Sequence, residues 1–318
     1  MALGEFQLIQ KFFAAAPARR ARLGVGDDCA LLANGPAEGA RAVTTDMLVC
    51  GRHFLPTVDP ESLGHKALAV NLSDLAAMGA IPEAFTLALA LPDVDEAWLE
   101  GFARGLLRLS SAADCELVGG DTTRGPLNIC ITAIGRVDEA RALRRDRARP
   151  GDDLWVSGEL GAAAFAVREA AAGRPLAPDH PAQRRLDWPD PRLLLGRELS
   201  GLAHAAIDVS DGLAGDVAHL VERSGVAIRI VWDDVPTASC LDHEPDGERM
   251  RLALSGGDDY ELLFAVGPKA GGRLRAARKS FATPLTRIGV LTAAPALVLH
   301  RDGIDTPLPT GFEHFVSA

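Results

Sequence analysis

One basic stretch, "RALRRDRARPGD" at 141–152, divides this chain and sets the terms of its folding. Such an Arg-rich connector, closed by Pro-Gly, cannot continue a strand or a helix. Before it, strand-like runs fall at 41–50, 83–92, 115–120 and 127–137, with helical patterns near 62–78 and 95–113. After it the pattern restarts. A strand at 153–158 precedes an Ala-rich helix at 162–172, then helices near 191–204 and 211–224 and strands at 226–232, 261–266 and 286–291. The proline-rich stretch 171–191 reads as a surface loop. Alternation of this kind calls for sheets covered by helices, an α/β (α+β) class. A length of 318 residues fits two domains, expected at 1–140 and 150–318.

Hydrophobic residues make up 47% and aromatics only 5%, so the cores must be built mainly from Ala, Leu and Val. No apolar run reaches the roughly 20 residues that cross a bilayer. The opening "MALGEFQLIQKFF" lacks the basic and apolar regions of a signal peptide, so no membrane partner and a cytoplasmic location are expected. Five scattered cysteines without a CxxC argue against disulfides or a zinc knuckle and read as small buried hydrophobes. A net charge of −10 disfavours nucleic-acid partners. Lysine is scarce: of Lys11, Lys66, Lys269 and Lys279, none lies between Gly and Ser/Thr, so there is no Walker A loop. Nor does a GxGxxG follow a strand.

Aspartate recurs where elements end. The six stations are "GVGDDCAL" (24–31), "TTDML" (44–48), "NLSDLAAMGA" (71–80), "GGDTTRG" (119–125), "IDVSDGL" (207–213) and "SGGDDYE" (255–261). Taken singly, each has an ordinary explanation. Asp211 could cap the helix that follows, Asp121 could close a turn with Gly119 and Gly120, and Asp74 could form a solvated stripe with Asn71. Taken together they exceed what turns require. Two carboxylates 4 Å apart repel by about 4 kcal/mol at an effective dielectric near 20, so a converging set needs cations. Oxygen ligands favour Mg²⁺, and the Gly-Gly pairs let backbone N–H groups approach phosphates. The pattern points to nucleoside-triphosphate chemistry.

The ordered motifs "GEFQLI", "GVGDDCAL", "TTDMLVCGRHF", "KALAVNLSDLAAMGA", "LVGGDTTRGPL", "RPGD", "AIDVSDGL", "LSGGDDYEL" and "GFEHF" resemble the thiamine-monophosphate kinase family of the aminoimidazole-ribonucleotide-synthetase-like superfamily. The resemblance implies a two-domain PurM-like fold, an N-terminal mixed-sheet domain packed in a homodimer, and transfer of the γ-phosphoryl of ATP to thiamine monophosphate. It implies Mg²⁺ ligation by Asp28, Thr44, Thr45, Asp46, Asp74, Asp121, Asp208 and Asp211, and ATP contacts from Gly120, Asp121, Arg145 and Ser210. Asp74, Asp121, Asp208 and Arg145 would carry the catalysis, while His53 and Asp258 would lie near the acceptor. Two departures stand out. Asp258 occupies a position that is commonly Glu, and Pro309 stands where relatives can place an aromatic, leaving Phe312 to contact the substrate.

The acceptor phosphate, with a second pKa of about 6, is already an anionic nucleophile at neutral pH, so no general base is required. Direct in-line transfer is expected. Sister enzymes of the superfamily, selenophosphate-synthetase-like or aminoimidazole-synthetase-like, are the alternative; the first wants a reactive cysteine, and Cys29 reads as core. Non-catalytic maturation relatives act through a C-terminal cysteine, which "FEHFVSA" lacks.

Overall fold

The computed structural model describes residues 21–23, 26–33, 39–277, 281–293 and 296–311; "GEFQLI" and Phe312 lie outside the described residues. The first half forms a six-stranded sheet from β1 (Ala21–Leu23), β2 (Ala30–Ala33), β3 (Ala40–Val49), β4 (Ile81–Leu91), β5 (Glu116–Arg124) and β6 (Asn128–Val137). Its spatial order is β1-β2-β3-β6-β4-β5, antiparallel except for the parallel pair β4–β5. Alternation along β6 places Ile129, Ile131 and Ala133 in the core.

That core is closed by helix α1 (Pro60–Ala77). Asp59 starts it, accepting from Ser62 N at 2.9 Å, and Pro60 pre-sets the first helical φ. Gly79 at φ 67 ends it, and Ala80 N returns to Leu75 O. Helix α1 is buried almost all round, because the sheet covers one side and α2 (Glu96–Ala113) another. Two glycines permit the contact between the helices. A Cβ on Gly64 would overlap the Phe102 carbonyl, and one on Gly105 would overlap the Glu61 carbonyl.

The second half builds a seven-stranded sheet from β7 (Asp153–Ser157), β8 (Ala205–Asp208), β9 (Ala227–Val231), β10 (Leu262–Val266), β11 (Leu285–Thr292), β12 (Leu297–Arg301) and β13 (Ile304–Pro307). Their order is β13-β12-β9-β11-β7-β10-β8. Strands β7, β8 and β10 are buried along their whole length, as continuous apolar runs require. Around them lie α3 (Ala162–Ala171), α4 (Pro181–Asp187), α5 (Leu193–Leu199), α6 (Leu213–Ser224), α7 (Asp246–Ser255) and α8 (Pro268–Ala277). The α/β class expected from the sequence is found.

Some expectations change. The stretch 171–191 is not all loop: α4 forms within it, because Pro181 suits a first helical turn and His180 Nδ1 accepts from Ala182 N at 3.2 Å. The connector is not a free linker either. It contains a turn of 3₁₀ helix at Arg145–Arg147, and Ala148 N bonds Ser224 Oγ at 3.0 Å. Strand β8 escaped the periodicity because its four residues alternate with nothing. Replacing Gly105 with Ala should push α2 off α1 and cost about 1–3 kcal/mol of stability by overpacking, read as a lower urea midpoint with an unchanged slope.

Candidate active site

Three segments far apart in sequence converge beside α1. Carboxylate oxygens of Asp28, Asp74 and Asp208 all lie within 4.8 Å of one another. Asp28 lies in the bend before β2, Asp74 projects from the last turns of α1, and Asp208 ends β8. Helix α1 aligns them by touching both sheets: Asn71 and Asp74, three residues apart on one helical side, reach β3, while Ser73 reaches β8. Asn71 Oδ1 accepts from Asp46 N at 3.1 Å, the Thr44 hydroxyl donates to Asp74 Oδ2, and the Ser73 hydroxyl donates to Asp208 Oδ2 at 2.6 Å.

The electrostatics follow from this crowding. Burial pushes the Asp208 carboxyl well above its ordinary range, and Asp28 pushes it further. Asp74 rises for the same reason, with Asp46 and Asp208 as its charged neighbours. Burial raises Asp46 to about 6 and Asp27 to about 7, the neighbouring charge of Asp28 adding to each. Arg145 answers part of this charge. Arg145 is buried, which works against its charge, yet its Nε and Nη2 donate to the two oxygens of Asp28 at 3.0 and 2.6 Å and hold it protonated. Burial also pushes the Cys29 thiol well up, so it is core, as its sequence context suggests.

A second convergence lies beside the first. The loop after β8 and the loop before β10 abut through main-chain bonds: Asp258 N to Ser210 O at 2.9 Å and Tyr260 N to Val209 O at 2.8 Å. Asp211 is not a helix cap, since Gly212 takes that position. Its amide and that of Ser210 instead donate to Asp216 Oδ2 at 3.1 and 3.0 Å.

The predicted residues therefore divide by sheet face. On β3, Thr44 and Asp46 point toward α1, whereas Thr45 points away and meets the Thr132 hydroxyl at 2.8 Å. Gly120 and Asp121 stand on the exposed edge strand β5. The row Asp46, Ile131, Leu87, Gly120 runs across the sheet, which puts β5 about 14 Å from β3 at the usual strand spacing. Within this chain Asp121 and the Thr45 hydroxyl are thus not with the Asp28–Asp74–Asp208 group. His53 accepts from Val49 N at 2.9 Å through Nδ1, which leaves Nε2 to carry the ring proton in the neutral form.

Sequence reasoning passed over several contributors. Asp27 accepts from Arg145 N at 3.1 Å and so anchors the connector. Asp216 organises the Ser210 loop, and Ser73 braces Asp208. Glu261, wholly buried, accepts from Ser157 Oγ at 2.5 Å and pairs with Arg185 and Arg192. Asp27, Ser73 and Glu261 lie inside the quoted acid stations and could have been suspected; Asp216 lies outside them.

A sheet-and-helix pair joined by shared carboxylates defines the class. Residues 26–137 match the family described as AIR synthase related protein, N-terminal domain, and residues 149–302 match its C-terminal domain. The chain is 45% identical to the thiamine-monophosphate kinase of Salmonella typhimurium over 326 residues, covering 100% of each. Among solved structures it resembles the thiamine-monophosphate kinase of Stenotrophomonas maltophilia K279a at 43% identity and TM-score 0.79, covering 95% of this chain and 98% of that one. It also resembles "AaThiL complexed with AMPPCP and TMP" at 30% identity and TM-score 0.85, covering 99% of each. The chain belongs to the thiamine-monophosphate kinase family.

The raised acids give a signed pH dependence. Folding favours their protonated forms, so this stability is full below the unfolded pKa of about 4 and is lost as pH rises through about 6 to 7. In EDTA the melting temperature should fall between about pH 4 and pH 7, and Asp46→Asn should flatten that fall in thermal-shift measurements.

Proposed function

We propose that this chain transfers the γ-phosphoryl group of ATP to thiamine monophosphate, forming thiamine diphosphate and ADP. The observation that carries the reading is the meeting of Asp28, Asp74 and Asp208 in a chain whose full length aligns with such kinases. The relative solved with AMPPCP and TMP supports the same pair of substrates.

The donor set suits magnesium. It is made of carboxylate and hydroxyl oxygens, and among the described residues five carboxylates (Asp27, Asp28, Asp46, Asp74, Asp208) outnumber the cations beside them, of which Arg145 pairs with Asp28. Asp28, Thr44, Asp46, Asp74 and Asp208 would hold the ions, with Asp211 at the edge of the group. Bound Mg²⁺ would supply the positive charge that lets two phosphate groups approach.

The chain's own residues do the positioning. Arg145 is held in place by Asp28 and Asp27, and its planar fork suits a phosphate as well as a carboxylate. Asp216 ties down the Ser210 and Asp211 amides, fixing the loop that would meet the nucleotide. His53 Nε2–H and Asp258 would face the acceptor. No side chain need remove a proton, because the acceptor oxygen is already anionic, and transfer proceeds in line.

The outer face of the first sheet belongs to the same reading. Met47 and Leu117 are exposed there or at its edge, beside Thr45 and Asp121. A second copy packed on this face would bury them and bring Gly120, Asp121 and Thr45 into a shared site, making the enzyme a homodimer of two-domain chains divided near 140–150. No described helix is long and apolar enough to cross a membrane. The five free cysteines suit the reducing cytoplasm.

The test incubates the purified protein with ATP, Mg²⁺ and thiamine monophosphate. Thiamine diphosphate should appear one-for-one with ADP; no product from this acceptor would shift the assignment to a sister enzyme. Asp74→Asn should keep the fold by circular dichroism and lose roughly a hundredfold or more in kcat. A near wild-type rate would remove Asp74 from the metal site.

A further inference from the structure

One buried cation in the first domain stands outside the carboxylate cluster. Lys66 lies on α1 two turns before Asp74 and is only 5% exposed. Its ammonium sits 3.1 Å from Asp258 Oδ1, and the Tyr260 hydroxyl donates to the same oxygen at 3.0 Å. A buried ammonium is costly unless paired, so this contact is a condition of its position. Asp187, at the end of α4, is a further carboxylate close enough to feel its charge.

The loop it holds is strained. Asp258 and Tyr260 have φ of 69° and 50°, left-handed values that side-chain-bearing residues seldom adopt. Main-chain bonds to Ser210 and Val209 hold that backbone, and both oxygens of the intervening Asp259 accept from Gly161 N at 3.0 and 2.9 Å. Such over-determination of a strained loop is what keeps a functional side chain fixed. Among the described residues the bonds to the Asp258 carboxylate fall on Oδ1, while the side chain stays 30% exposed. Oδ2 is therefore the oxygen left for a ligand.

We infer that Lys66, with Tyr260, is a positioning residue for the acceptor: the two fix Oδ1 so that Asp258 Oδ2 accepts an N–H from the heteroaromatic amine of the acceptor. Asp258 stands outside the Asp28–Asp74–Asp208 group that would hold cations, and a carboxylate without such an ion disfavours a phosphate, so Asp258 serves the opposite end, where an amine donor is carried. Lys66 does not touch the phosphate, because its ammonium is buried and taken up by Asp258. This rests on the reading above that Asp258 faces the acceptor.

The test varies ATP and thiamine monophosphate separately for the wild type, Lys66→Met, Lys66→Arg and Tyr260→Phe. Lys66→Met should raise the acceptor KM about tenfold with the ATP KM changed less than about twofold, Tyr260→Phe should raise it about threefold, and Lys66→Arg should recover part of the loss. A thiamine monophosphate analogue lacking the amine should bind the wild type and Lys66→Met with equal KM, since the group being positioned then has no donor to meet. An unchanged acceptor KM, or equal rises for both substrates, would overturn the inference. If Lys66→Met fails to fold, Tyr260→Phe decides alone. Wild-type silence toward thiamine monophosphate removes the proposed function and this inference together, whereas wild-type turnover with unaltered acceptor KM in the variants removes only this one.

Discussion

A helix enclosed on nearly every side can carry a carboxylate only where something else is arranged to receive it. Helix α1 is that constraint here. Its small residues and the glycines opposite let α2 and the first sheet close upon it, and its last turns press against α5 and β8 of the second half. Asp74 then has few places to go, and its environment is built by the partners of its own neighbours: Asn71 on β3 and Ser73 on β8. The rigidity comes from packing and the chemistry from the few polar positions that packing leaves.

Electrostatics sets the opposing demand. Close carboxylates in a buried site destabilise the fold, and Arg145 answers only part of that charge. The molecule accepts this conflict at one place and resolves it elsewhere with paired groups, as at Glu261 between Arg185 and Arg192. Local sacrifice of stability for pre-organised charge is the usual mark of a site that handles phosphates.

Much of this was visible in the residues. Ordered strand-end acids and the alternation of elements pointed to the right class and to most of the inner cluster, because strand periodicity and Gly-Asp turns are local signals. What escaped depends on the third dimension. The split of Thr44 from Thr45 follows from strand alternation, but knowing which face is inward requires knowing where α1 lies. The remoteness of Asp121 from Asp46 depends on β6 and β4 inserting between their strands, an order that no sequence spacing states. Asp27, Asp216 and Glu261 act on backbone amides or distant arginines, so their partners are not stated by any sequence spacing. Helix α4 was hidden by the prolines that flank it, one of which in fact begins it.

The joining of the two halves through α1 also orders events in time. Ser73 cannot meet Asp208 until 135 further residues have been made. During synthesis the first sheet and its helices can form while the flank of α1 that later receives α5 and β8 remains wet, with Ala76 and Ala77 uncovered. At a ribosomal pace of about 5–20 residues per second that interval lasts on the order of ten seconds. The apolar flank of α1 is thus a surface that a nascent chain of this kind leaves open to misassembly, and its alanines, rather than larger side chains, keep that exposure small.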